Sequence, residues 1–164
     1  ISWKKTMFKF LAKFLPYIVY VYIQNKIRER KKNFDFNQKL KKISCGDYKI
    51  LCPQNHILFN LKTFQPYRDK CIGISSQFIS LKYPDKLIVD IGANIGDTAA
   101  IIASYCKNEL LLIEGSKYFY NILLKNIKLF ENKIETKNAF ISSGESISGD
   151  LFHWGGYCKI YKEL

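Results

Sequence analysis

The chain has 164 residues, 48% of them apolar and 24% charged. That is room for one domain with a real core, and too apolar a composition for a disordered chain. The net charge of +12 is concentrated: residues 1–42 hold ten Lys and two Arg against Glu29 and Asp35, so the remainder is close to neutral. Cys45, Cys52, Cys71, Cys106 and Cys158 are odd in number and widely spaced. This argues for free thiols in a reducing compartment and against a zinc site, so no metal ligands are assigned.

Residues 4–32 read as a basic amphipathic helical arm. On a helical wheel Phe8, Leu11, Leu15, Ile18 and Tyr22 share one face and Lys5, Lys9 and Lys13 lie opposite, with an interruption at Pro16. The uncharged run Phe14–Ile23 is ten residues. A membrane span needs about twenty, so the arm does not cross a bilayer. No small-residue cleavage site follows it, which argues against a signal peptide. Three roles compete: a helix packed on its own domain, an interfacial helix on an anionic membrane, and a grip on nucleic acid. The aromatic apolar face favours the membrane over nucleic acid. The expected location is the cytoplasm, including the inner face of the membrane.

Residues 43–84 form a lead-in. Short strands are predicted around 48–52 and 57–61 and a helix over 68–82, ending before Pro84. His56 is a lone histidine among apolar neighbours, and its default role is structural. From 85 onward the pattern is strand, helix, strand, helix, strand: 87–90, 95–106, 110–114, 117–129 and 134–139. This is the order of a doubly wound α/β sheet, and the apolar first strand suits a position buried on both faces.

In such sheets ligands sit beyond the carboxyl ends of the strands. The first strand ends on Asp90 and continues as "GANIG". Gly92 and Gly96 permit a sharp turn and close backbone approach. Glu114 closes the second strand, eighteen residues after Gly96, where an acid can accept hydrogen bonds from ribose hydroxyls. The dinucleotide fingerprint has three glycines spaced to admit a pyrophosphate. Here the spacing is G-x-x-x-G after an aspartate that would repel phosphate. A cationic, amino-acid-bearing nucleoside, S-adenosylmethionine, fits better than NAD. The competing account is that Gly92 and Gly96 serve only the turn.

"VDIGANIGDT" followed by "LLLIEGSKYFYNILLKNI" resembles the FkbM-type branch of the class I methyltransferases. The likeness rests on Asp90, Gly92, Ala93, Asn94 and Gly96, and on Glu114, Leu124 and Asn126, over about residues 85–140. The family usually has Pro after the second-strand acid, where this chain has Gly115. The resemblance implies a Rossmann-like fold and S-adenosylmethionine as cofactor. The Asp90–Gly96 backbone would wrap the methionine part, Asp97 and Thr98 would line the helix start, Glu114 would hold the ribose, and Gly115 and Ser116 would border the adenine. It also implies O-methylation of a small-molecule or glycan acceptor. The alternatives are an inactive cofactor-binding remnant and a nucleic-acid methyltransferase.

Only the first three core strands are present, and the family's K-x-D-x-E-G-like fourth-strand motif does not occur after Phe140. With Ile at position 1, the expectation is the N-terminal part of a longer protein, or a degenerate remnant: an arm over 1–42, a lead-in over 43–84 and half a cofactor-binding domain over 85–164. No catalytic residue is assigned. Asp150 and His153, on a predicted loop covered by Trp154, are the candidates for a base.

Overall fold

The computed structural model describes residues 35–59, 67–142, 150–154 and 157–161, the last two stretches in backbone only. The predicted arm helix lies outside the described residues.

The first element is a hairpin of β1 (Leu40–Cys45) and β2 (Tyr48–Pro53), in register from Leu40 opposite Pro53 to Cys45 opposite Tyr48. β2 matches the predicted strand, whereas β1 begins inside the stretch that charge assigns to the arm. Its Lys41, Lys42 and Ser44 are exposed while Ile43 and Cys45 are buried, the period of two of a half-buried strand. The second predicted strand, over 57–61, does not form at 57–59: Leu58 and Phe59 start a helical turn. The His56 side chain accepts the Leu58 N–H at 3.2 Å, and a local side-chain acceptor of this kind favours a turn over a strand.

α1 runs over Arg68–Lys82, the predicted span. It packs on α2 (Asp97–Tyr105), burying its small residues Gly73 and Ser76. Ile74, Phe78 and Leu81 face outward.

Three parallel strands follow in the order β3 (Ile88–Ile91), β4 (Leu110–Ile113) and β5 (Ile134–Lys137). Val89 pairs with Leu111, which pairs in turn with Glu135; Asp90 pairs with Leu112, and Leu112 with Thr136. Between them lie α2 and α3 (Lys117–Asn126), the latter continued by a 3₁₀ turn at Ile127–Leu129. The predicted helices over 95–106 and 117–129 are therefore shorter as α-helix. The first starts only after Gly96, which sits at φ +86° as N-cap.

The expectation that the first strand is buried on both faces is wrong. Val89 is 48% and Ile91 63% exposed. The sheet grows in one direction from β3 to β5, so right-handed crossovers carry both helices to one face. That face buries Leu110 and Leu112. The other presents Val89 and Ile91 at one edge and the Glu135–Lys137 ion pair at the other.

The β1–β2 hairpin packs against α2 and α3, giving the covered side of the sheet a third layer. Ile50, Cys52, Ile101, Phe119 and Leu123 are among the buried core residues.

Past Phe140, the predicted solvated loop instead contains an antiparallel hairpin, β6 (Asp150–Trp154) with β7 (Tyr157–Tyr161). Asp150 and His153 lie on a strand, opposite Tyr161 and Cys158. The side chains of Asp150, His153 and Trp154 lie outside what is described. The intervening "GG" is a recognised two-residue hairpin signal.

No helix of the described residues is long and apolar enough to cross a membrane. Among them there is also no group of three His, Cys, Asp or Glu side chains that could hold a metal ion.

Candidate functional site

The residues of the glycine loop converge at the carboxyl end of β3. Gly92 sits at φ +79°, Asn94 at +53° and Gly96 at +86°, three left-handed residues within five. Glycine takes this conformation without cost and asparagine more readily than most others. The loop is closed by backbone bonds. The Gly92 and Ala93 N–H groups both donate to the Ile113 carbonyl, at 2.8 and 2.9 Å, and the Gly96 N–H donates to Ala93 at 2.8 Å. A Cβ on Gly92 would meet nothing within 4 Å, whereas one on Gly96 would meet Leu123 at 2.8 Å. The backbone at Gly92 therefore borders open space, while Gly96 packs on α3.

Glu114, at the end of β4, is only 5% exposed. Its carboxylate accepts the Asn94 N–H at 2.8 Å and the Ser116 N–H at 2.6 Å. It thus fastens the glycine loop to the turn after β4. The carboxylate retains lone-pair capacity that could accept a ribose hydroxyl. Burial raises the Glu114 carboxyl above the ordinary range, against the pull of N–H bonds from Ser116, Asn94 and Gly115. Ser116 is the N-cap of α3: its hydroxyl accepts the Phe119 N–H at 3.4 Å. Its polar atoms serve the helix start.

Gly115 has a different reason to be glycine. A Cβ there would overlap the Phe140 ring, so the ring lies directly on this backbone. This accounts for the absence of Pro at the position. Gly115→Ala should destabilise the protein by about 1–3 kcal/mol through overpacking, read as a fall in urea midpoint; an unchanged midpoint would show that the ring moves aside freely.

Asp90 is the chemically distinctive member. Its Oδ2 is buried with no hydrogen-bond partner. Burial pushes the carboxyl up to about 6, and the Asp97 carboxylate adds to that; Arg68 opposes it, and Glu114 adds a little more. Asp97, the first residue of α2, accepts a 2.6 Å bond from the Arg68 guanidinium, which also reaches Thr98 at 3.2 Å and Asp69 at 3.2 Å. The Asp90 carboxyl thus feels two other carboxylates, Asp97 more than Glu114, with the Arg68 guanidinium as the opposing cation.

Two participants escaped the sequence. Arg68 is 29 residues from Asp97; its place at a predicted helix start was the one signal available. His56 is 6% exposed and lies 3.0 Å by Nε2 from the Asn94 side-chain oxygen, 38 residues away. No local pattern points to that pair. Ala93, within the loop, is buried, and Asn126 is bonded to the Ile95 carbonyl at 2.8 Å. A shallow cavity of about 770 Å³ lined by Asn121, Leu124, Lys128 and Ile134 shares no residue with this loop.

No family model matches the chain, and no curated protein matches it. Among solved structures it is similar to the crystal structure of "putative transferase PH0793" from Pyrococcus horikoshii, at 24% identity and a TM-score of 0.44, over 63% of this chain and 37% of that one. The chain thus spans little more than a third of that protein, and at this TM-score the likeness bears on neither fold nor activity.

Proposed function

We propose that this loop is the cofactor site of an S-adenosylmethionine-dependent methyltransferase with a Rossmann-like sheet, of the FkbM-type branch that the sequence resembles. The observation that carries the proposal is the Asp90 carboxylate, whose Oδ2 is buried and without a hydrogen-bond partner, at the strand end beside an open glycine loop and under the influence of Asp97 and Glu114. Such a field opposes a pyrophosphate and favours a cation. The cofactor has two cationic centres, an ammonium and a sulfonium. Asp90 and the Gly92–Gly96 backbone would border its amino-acid part, Asp97 and Thr98 the helix start, and Glu114 the ribose, with Gly115 and Ser116 next to the base. When bound, it supplies an electrophilic methyl group to a nucleophile. The chain's own part is to hold the donor and exclude water from it.

The acceptor class that the resemblance favours is a sugar or related glycan hydroxyl. For a membrane-bound acceptor, the basic aromatic segment 4–32 would supply contact with anionic headgroups. Sedimentation with anionic vesicles at low salt tests that part, and absence of the chain from the pellet would remove it.

Calorimetric titration of S-adenosylmethionine, with NAD as control, tests the cofactor reading. Binding of the first and not the second is expected. Glu114→Ala should weaken it by about 1.5–3 kcal/mol, roughly 10–150-fold, as charge-assisted bonds are lost. Failure of the wild-type chain to bind the methyl donor would refute the proposal.

A further inference from the structure

We infer that His56 is a positioning residue for the cofactor loop, acting through Asn94 on the alignment of Glu114. The inference takes its ligand from the reading above, but its geometry is independent of it.

Two hydrogen bonds determine the state of the imidazole. Nδ1 accepts the Leu58 N–H at 3.2 Å, so Nδ1 carries no proton. The proton of the neutral ring therefore sits on Nε2, which donates to Asn94 Oδ1 at 3.0 Å. Burial holds the ring below its ordinary pKa, with the Asn94 bond and the Asp97 carboxylate pulling the other way. Phe119 from α3 meets the imidazole edge to face at 5.7 Å. The ring is thus confined by its own turn, by the glycine loop and by α3.

The consequence lies at Asn94. This is the one non-glycine residue with positive φ among the described residues, a conformation that needs local support. His56 holds its side chain from one direction, while the Asn94 N–H donates to Glu114 Oε2 at 2.8 Å in another. The path from the Leu58 N–H through His56 and Asn94 to Glu114 runs through bonds of 3.2, 3.0 and 2.8 Å, the first buried and the other two part-buried. Of the positions assigned to the ligand, His56 hydrogen-bonds to Asn94 and feels the Asp97 carboxylate. Its effect is to keep Asn94 left-handed, so that the Glu114 carboxylate is aimed by the loop as well as by Ser116. An apolar residue at 56 would preserve the packing on Phe119 and lose the tether.

The test has a part without ligand and a part with it. In the free, ¹⁵N-labelled chain the ring nitrogens should report the Nε2–H tautomer, and the Asn94 amide should exchange slowly. A mixture of tautomers would overturn the inference. His56→Phe should speed Asn94 amide exchange and weaken S-adenosylmethionine binding about tenfold each, the worth of one buried hydrogen bond. His56→Gln, which keeps an N–H donor, should restore part of both. In the Asn94→Gly background, where glycine takes positive φ unaided, adding His56→Phe should change either readout by less than about twofold, the mark of two residues acting as one. An equal loss in that background, or no loss in the single variant, would refute the inference. Should His56→Phe fail to fold, the wild-type tautomer and the His56→Gln exchange rate decide. If the wild-type chain binds no S-adenosylmethionine, the cofactor reading fails and the tautomer and Asn94 exchange still decide for or against His56.

Discussion

Asp90→Asn should make the protein more stable at neutral pH and a poorer binder of S-adenosylmethionine. The Asp90 carboxyl is held up to about 6 from an ordinary 3.8 by burial, and by Asp97 after it. For an acid, a folded pKa above the unfolded one means the native state binds more protons in the window between them. Stability therefore falls as pH rises from about 4 to about 6, and above that the fold carries the full cost of an ionised buried carboxylate. A shift of this size is worth about 3 kcal/mol by linkage. Asparagine keeps the shape without the charge, so Asp90→Asn should gain about 1–3 kcal/mol near pH 7.5, roughly half of that near pH 5, and nothing below about 4. Denaturant melts at two pH values measure it. A loss of stability at pH 7.5 would mean that the carboxylate is compensated by bonds other than those described here. The paired observation is affinity: a residue that costs stability when empty and is needed when occupied has the signature of a binding site. Retained affinity in Asp90→Asn would remove Asp90 from the site.

The elements that position this loop were legible because they are local. The α1 span is punctuated by Pro84, and β3, β4 and β5 are short apolar or β-branched runs separated by helix-length segments. The loop itself was readable from glycine spacing and the preceding aspartate. What escaped depended on distance or on competition between signals. β1 is rich in Lys, and its alternation becomes visible only when paired with β2. The exposure of Val89 and Ile91 follows from which way the crossovers turn, a property of the whole sheet rather than of an apolar run. Leu58 turns helical because a side chain two residues earlier takes its N–H. The bonds of Arg68 to Asp97 and of His56 to Asn94 join residues far apart in sequence, and single-chain patterns carry no trace of such pairings. Glu114 is intermediate: its place was legible, but not that two backbone N–H groups already use it.

Asn126→Ala should cost about 3–5 kcal/mol, a large part of the 5–15 kcal/mol by which a domain of this size is stable. Asn126 is fully buried at the end of α3. Its side-chain oxygen accepts the Leu51 N–H at 2.8 Å and its nitrogen donates to the Leu51 carbonyl at 2.9 Å. Its second N–H reaches the Ile95 carbonyl in the glycine loop at 2.8 Å. The amide thus stands in for a neighbouring strand on the free edge of β2, and it ties that edge to the loop. Alanine would leave the buried Ile95 carbonyl and the part-buried Leu51 N–H and carbonyl unpaired, each costing about 1–3 kcal/mol, partly relieved if water enters the gap. Asn126→Asp is the sharper control. It keeps the shape and the acceptor but puts one carboxylate oxygen where the amide nitrogen donated to two carbonyls, so it should be at least as damaging at pH 7 and partly recover on acidification, as the carboxyl protonates and regains one donor. Urea melts of both variants, with Asn94 amide exchange as the loop readout, check the argument. If either costs under about 1 kcal/mol, the hairpin and the loop are not held together through this side chain, and the third layer is anchored by apolar packing of Ile50 and Cys52 alone.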